Sequence, residues 1–204
     1  MPLSDDPWIG SHSPLPPEKI HALGYLTFAW NSCEYWAGAT FCAVLGVREE
    51  VGRAITHGLG DITLWTMIVD VARARGFHED AIDHLKHASK LYDRCRSNRN
   101  AYVHAGGAMA ATSDGSKGLA LVRKKGPELF GQKLPDSLAD IRRVGEQIRE
   151  LNRYLADLCM TVATISKEEN VEPWPEKPPL PELVVRPPPQ EKPKPPPPPR
   201  SSQA

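Results

Sequence analysis

The fold is decided by 138-LADIRRVGEQIRELNRYLADLCMTVATI-165, in which apolar residues recur every three or four positions. This spacing places them on one face of a single long helix, for which Asp136 or Ser137 supplies the N-cap. The apolar face comprises Leu138, Ile141, Val144, Ile148, Leu151, Leu155, Leu158, Val162 and Ile165. Because such a helix must bury this face against other elements, the stretch predicts a helical bundle.

Three further long helices are predicted upstream of this one. Pro17 is tolerated in a first helical turn, Asp61 is a good N-cap, and Gly46 and Gly76 are helix stops. The predicted helices cover residues 17–46, 62–75 and 78–105, with a short helix at 47–55. Four main helices joined by short links predict one all-α domain over residues 17–168.

A small insertion interrupts the helical pattern before the last helix. The glycine-rich and serine-containing stretch 106–118 is predicted to be a loop. Residues 119–125 and 128–134, joined through Gly126 and Pro127, are predicted to form a small hairpin.

Both ends of the chain differ in composition from the predicted bundle. Residues 1–16 are expected to form a flexible arm. Fourteen of the 21 prolines lie between Pro173 and Pro199, so residues 169–204 are predicted to be a disordered, proline-rich tail that does not join the core. Pro195, Pro198 and Arg200 match a pattern that aromatic grooves bind, but a stiff solvated tail is the favoured interpretation.

Composition and charge restrict the possible functions. Lys plus Arg and Asp plus Glu both number 25, so no extended basic surface for nucleic acid is indicated and any polyanion must be bound locally. The four cysteines lack a C-x-x-C pair, which argues against a zinc site or disulfide framework and indicates a reducing, cytoplasmic location. Residues 22–46 are long enough to cross a bilayer, but Asn31 and Glu34 in their middle favour a core helix.

The helix at residues 78–105 carries the residues that point to chemistry. Its inner face is predicted to comprise Ala81, Leu85, Ala88, Tyr92, Cys95, Arg99 and Tyr102. Arg99 therefore occupies a position where an apolar residue is expected, which costs several kcal/mol unless its charge is paired or reaches a wet cleft. Asn100 and His104 share one face, and two glycines after His104 are predicted to end the helix.

A guanidinium, an amide and an imidazole at one helix end fit phosphodiester cleavage without a metal. Imidazole transfers protons near neutral pH, and guanidinium donates paired hydrogen bonds to phosphate oxygens. With RNA the substrate's own 2′-hydroxyl is the nucleophile, so no serine or cysteine is required. On an ideal helix Arg99 and His104 lie about 140° apart, given roughly 100° per residue, so their convergence requires a distortion or a second subunit.

The stretch 99-RNAYVH-104, at the end of a helix in a four-helix unit, resembles the R-N-x-x-x-H motif of the HEPN superfamily. The resemblance implies a HEPN-like helical bundle and a metal-independent endoribonuclease that acts as a homodimer, often in toxin–antitoxin or phage-defence systems. It implies that Arg99 binds the scissile phosphate, that His104 transfers a proton and that Asn100 orients one of them. The insertion and the proline-rich tail depart from the compact family unit.

Further residues are assigned supporting roles at this site. Glu34, or else Asp70, is expected to orient Arg99, with the alternative that Glu34 faces solvent or a subunit interface. The basic residues Arg123, Lys124 and Lys125, together with Lys117, are candidates for binding the RNA backbone, although an exposed hairpin has the same composition.

Two other groups of residues receive a structural interpretation. The cluster His78, Glu79, Asp83, His84 and His87 lacks a matching third ligand, so a solvated helix surface is favoured and no metal or other cofactor is expected. Trp30, Tyr35 and Trp36 are expected in the core or a dimer contact rather than stacked on bases.

The preferred prediction is thus a cytoplasmic, homodimeric HEPN-type ribonuclease that has RNA as its substrate, an antitoxin or other protein as a candidate partner, and no membrane association. The alternatives are a non-catalytic helical module that binds RNA, a nucleotide or a protein, and an adaptor that acts through its proline-rich tail.

Overall fold

The computed structural model describes residues 15–111, 117–123, 132–135, 137–165 and 173–185. It confirms an all-α architecture with four long helices and one short helix between the first two. The helices are α1 (Pro17–Leu45), α2 (Glu49–Thr56), α3 (Asp61–Ala74), α4 (Glu79–Val103) and α5 (Leu138–Ile165). The predicted stops at Gly46 and Gly76 are confirmed, since both residues have the positive φ that glycine tolerates at a helix end.

Helices α1, α4 and α5 form the centre of the bundle. His84 meets Tyr154 and Asn98 meets Gln147, so α4 and α5 run antiparallel. The Trp30 ring lies 4.7 Å from the Tyr92 ring and joins α1 to α4, and Trp65 of α3 lies on the other side of Tyr92 at 5.6 Å. The core therefore lies where the apolar faces of four helices converge.

Helix α1 is a core helix, as predicted. Leu26, Trp30, Cys33 and Phe41 are buried along it. Among the described residues, no helix combines the length and hydropathy that crossing a membrane requires.

The insertion forms a three-stranded antiparallel sheet in the order β1 (Gly106–Ala111), β2 (Lys117–Arg123), β3 (Gln132–Lys133). The predicted hairpin corresponds to the pairing of β2 with β3. The predicted loop at 106–118 is wrong for its first part, because β1 pairs with β2 along its whole length. Small residues there carried no apolar alternation, yet backbone pairing to a neighbouring strand does not require it. Buried Leu121 and Leu134 anchor the sheet to the core.

The predicted disordered tail needs correction at residues 173–185, here called the strap. The strap lies in an extended conformation against α4 and α5, where Trp174, Val184 and Val185 pack against the core. Prolines exclude a segment from helices and central strands, but an extended proline-rich backbone can still pack when side chains satisfy its polar groups. Residues 169–172 and 186–204 of the predicted tail, and residues 1–14 of the predicted arm, lie outside the described residues.

Candidate functional sites at the end of helix α4 and in the α4–α5 groove

Helix α4 ends one turn beyond Asn100, slightly earlier than predicted. Val103 is its last residue, and the backbone N–H of His104 donates to the Asn100 carbonyl at 3.2 Å. The His104 side chain is exposed, and β1 begins two residues later at Gly106. The imidazole is therefore accessible to a ligand at this end of the bundle.

Arg99 lies half-buried beside this end, and Asn100 holds it. Its Nη1 donates to Asn100 Oδ1 at 2.9 Å. Its Nε atom is buried and has no hydrogen-bond partner within the described part of the chain. An unpaired guanidinium N–H of this kind retains an unused donor of the type that binds anions.

The structure joins Arg99 to Asn100 but not to His104. No hydrogen bond between the His104 ring and either residue is recorded among the described residues. His104 follows the last helical residue, Val103, so its ring is positioned by the backbone of the helix end rather than by the helical period.

The expected carboxylate partners of Arg99 are corrected by the structure. Glu34 is exposed, and its Oε1 accepts a hydrogen bond from Trp30 Nε1 at 2.8 Å. Asp70 is exposed and pairs with Arg73 on its own helix at 3.3 Å. Both carboxylates have local partners one helical turn away, so neither orients Arg99 in this structure.

The predicted inner face of α4 is buried except at Arg99, which is only half-buried. Asn98, not Arg99, is the fully buried polar residue there, with 1% of its surface exposed. Helix α4 contacts α1, α3 and α5, so its buried arc is wider than a single stripe. Periodicity alone does not indicate which edge of a wide arc is more deeply buried.

The structure does not describe the side chains of the basic residues that were predicted to bind the RNA backbone. Arg123 and Lys117 lie at the two ends of β2, and their side chains, like the residues Lys124 and Lys125, lie outside the described part. Their role in RNA binding stays a prediction.

Two histidines of α4 contact the strap, which the sequence did not indicate. The described residues contain no group of metal-ligating side chains suited to an ion. His84 stacks on Trp174 with ring centroids 4.8 Å apart, and His87 Nε2 lies 2.8 Å from the Pro178 carbonyl. The shared face of His84 and His87 was predicted, but the strap covers it where solvent was expected.

Asn98 and Asp83 complete the contacts to the strap. Asn98 Nδ2 donates to the Glu182 carbonyl at 2.8 Å and to Gln147 Oε1 at 3.3 Å, while its Oδ1 accepts from the Val184 N–H at 2.8 Å. Asp83 forms an ion pair with Lys177. We call the surface formed by Asp83, His84, His87, Asn98, Gln147 and Tyr154 the strap groove. The only sequence signal for it was the H-x-x-H spacing.

A cavity of about 330 Å³ adjoins the end of the strap and the start of α5. Tyr102, Arg143 and Gln147 line it together with strap residues 182–184. Arg99, Asn100 and His104 are not part of its lining, so this cavity belongs to the strap groove and not to the motif.

The cysteines are buried and free, with no disulfide among them. Burial raises the pKa of Cys33 and of Cys95 to about 12, so both thiols stay protonated and are poor nucleophiles. Nucleophilic thiol chemistry at these two positions is therefore disfavoured.

Comparisons of the chain with protein-family models, with curated proteins and with solved structures give no match. The functional conclusion therefore depends on the chemistry of the residues described above.

Proposed function

We propose that this chain is a metal-independent endoribonuclease with a HEPN-like bundle, active as a homodimer. The observation that carries the proposal is a half-buried arginine whose Nε lacks a partner in the described residues, held by an asparagine one turn before an exposed histidine. A cationic donor set beside a titratable ring at a solvent-exposed helix end is what binding and cleaving a phosphodiester require.

In the proposed reaction the RNA 2′-hydroxyl attacks the adjacent phosphorus and the bond to the 5′-oxygen breaks. The products are a 2′,3′-cyclic phosphate and a free 5′-hydroxyl. Arg99 neutralises the charge that builds on the non-bridging oxygens, and His104 transfers a proton to or from the reacting oxygens. Asn100 limits the rotation of the guanidinium through its hydrogen bond.

The homodimer is proposed because Arg99 and His104 lie about 140° apart on an ideal helix, given roughly 100° per residue. A second copy supplies the missing imidazole to each arginine if the two helix ends face each other across a shared cleft. Exposed aromatic residues on α1 provide a surface on which two copies can associate, since Phe28 is 75% exposed and Tyr35 is 48% exposed. A cytoplasmic setting in which an antitoxin or other protein restrains the activity belongs to the same proposal.

The test incubates the purified full chain with mixed cellular RNA in the presence of EDTA and measures 2′,3′-cyclic phosphate ends. Cleavage is expected without divalent metal, and His104→Ala is expected to lower its rate by about 10²–10⁴-fold, the usual contribution of a general acid or base. His57→Ala, which changes an exposed histidine at the end of α2, is the matched control and should leave the rate unchanged.

Expression in cells extends this test to RNAs absent from the mixture. Growth inhibition that His104→Ala and Arg99→Ala relieve, with both variants folded, supports cleavage. RNA binding without cyclic phosphate ends, together with unimpaired growth, would instead identify a non-catalytic binding module. The adaptor alternative is less favoured for residues 173–185, because side chains of α4 already bind that segment within the same chain.

A further inference from the structure

The strap groove recognises its occupant through side chains. Among the described residues, no backbone–backbone hydrogen bond joins the strap to a helix. Instead, the Asn98 amide bonds two backbone groups of the strap at once, the Glu182 carbonyl and the Val184 N–H. His87 Nε2 must carry the proton in its contact with Pro178, because a carbonyl oxygen only accepts. Helix α4 therefore presents a surface complementary to an extended backbone.

Two side chains of the strap give the groove its sequence preference. Trp174 lies flat on His84, with 17° between the ring planes, and marks one end of the groove. Further along the strap, Lys177 forms an ion pair with Asp83 of α4. Aromatic stacking combined with donors aimed at the carbonyls of a preformed, extended proline-rich backbone is how proline-rich ligands are usually bound. Through these contacts the strap is held as a peptide ligand would be, while Trp174, Val184 and Val185 also pack against the core.

Asn98 indicates that the groove requires an occupant. It is 1% exposed in the presence of the strap, and two of its three hydrogen bonds go to strap backbone atoms. Its remaining partner is Gln147, so an empty groove would leave most of the amide's hydrogen-bonding capacity to water. Any segment with the strap's sequence satisfies the same groups, and every other copy of this chain carries that sequence.

We propose that the strap groove is a proline-rich peptide site whose occupant is exchanged between copies of this chain, the strap of one entering the groove of the other. The strap follows α5 closely in the sequence, and exchange of an identical terminal segment between copies is a low-cost route to a dimer. The same contacts form in the closed monomer and in the exchanged dimer, so protein concentration decides between them. This proposal is independent of RNA cleavage, and its readout is the oligomeric state.

A charge-swap pair tests exchange with full-length chains that carry mild surface changes. In an Asp83→Lys chain the groove lysine faces Lys177 of the strap, so the contact is repulsive. In a Lys177→Glu chain the strap glutamate faces Asp83 of the groove, and the contact is repulsive again. When the two chains are mixed and exchange straps, each groove faces a strap residue of opposite charge. The fraction of heterodimer, measured by native mass spectrometry, is expected to exceed that of either homodimer by about tenfold, because each exchanged dimer contains this surface charge contact twice.

The matched control carries both changes in one chain, Asp83→Lys with Lys177→Glu. This chain restores the opposite charges within one copy and should dimerise no more than the unchanged protein. A mixture of the single variants that contains no more dimer than the separate chains contradicts the proposal.

A second pair covers the case in which one surface ion pair is too weak to direct exchange. A Trp174→Ala chain has an intact groove and a weakened strap. An Asn98→Ala chain has a weakened groove and an intact strap. Their mixture is expected to form a one-to-one heterodimer. If it stays monomeric while a labelled peptide of residues 173–185 binds the Trp174→Ala chain, the groove serves other proline-rich proteins and the second-copy proposal is overturned. If the peptide does not bind either, the groove is not an exchangeable site and the proposal also fails.

Discussion

Asn98 makes three hydrogen bonds in a position from which water is excluded, and this environment sets the cost of changing it. Asn98→Ala would leave the Glu182 carbonyl and the Val184 N–H without their partners. We expect the free energy of unfolding to fall by about 1–3 kcal/mol, as for other buried polar groups that lose a partner, which urea denaturation measures.

Asn152→Ala on α5 is the matched control for this prediction. Its Oδ1 is buried without a hydrogen-bond partner in the described residues, so its removal eliminates no recorded bond of that oxygen. A change of less than about 0.5 kcal/mol is expected for it. Equal losses in the two variants would show that the strap contacts contribute nothing to the effect at Asn98.

His84 gives the strap a dependence on pH. Burial, reinforced by the charge of Lys177, lowers the pKa of His84 below its ordinary value of 6.5, while Asp83 acts in the opposite direction. The unfolded chain therefore takes up a proton near pH 6.5 that the folded chain accepts only at lower pH. From this residue the free energy of unfolding is expected to fall as the pH decreases below 6.5, until the folded-state pKa is reached.

Urea denaturation at pH 7.5 and 5.5 checks this sign. The loss of stability between the two values should be smaller in His84→Gln than in the unchanged protein, and His57→Gln serves as the control for an exposed histidine. A steeper dependence in His84→Gln would mean that His84 is stabilised in its charged form, contrary to the direction derived from burial.

At the scale of elements, the packing of α2 against α1 depends on one glycine. A Cβ atom on Gly52 would overlap Cys42 Sγ, so the helices could not keep their present separation. Gly52→Ala is expected to lower the free energy of unfolding by about 1–3 kcal/mol, the usual cost of overpacking. At the exposed Gly24 of α1 an added Cβ meets no atom within 4 Å, so Gly24→Ala should raise the free energy of unfolding by about 0.5–1 kcal/mol, because alanine favours helix. Thermal unfolding of both variants measures the two opposite changes in stability. A Gly52→Ala protein as stable as the unchanged protein would contradict the predicted overlap with Cys42.

The elements most easily predicted from the sequence were those that apolar periodicity defines. Helix α5 begins at Leu138 and ends at Ile165, the first and last residues of the predicted apolar face. The strand at Gly106–Ala111 was missed because its small residues carry no apolar alternation, although its partner β2 follows closely in the chain. The strap was missed for a different reason, since its contacts come from side chains of α4 that lie far upstream in the sequence.

The motif at residues 99–104 could be identified from the sequence, whereas the strap groove could not. Arg99, Asn100 and His104 were identified because they are close in sequence, and the structure places two of them in direct contact. Asn98 stands beside Arg99 but bonds to residues about fifty and eighty positions away, Gln147 and Glu182. A helical period indicates a face, and only the tertiary partners determine which residue of that face is polar and buried.

At the scale of the whole molecule, the strap is expected to be part of the cooperative folding unit. A chain ended after Glu172 loses the packing of Trp174 and Val184 on the core and exposes the amide of Asn98. A chain ended after Val185 keeps all of these contacts, so the difference between the two truncations measures the strap alone. The shorter chain should unfold with a free energy lower by at least about 2 kcal/mol, from lost apolar burial and unmade hydrogen bonds, and with a slightly smaller urea m-value. Because a strap that opened independently would leave the midpoint of the main transition unchanged, equal midpoints for the two chains would show that the bundle is complete without it.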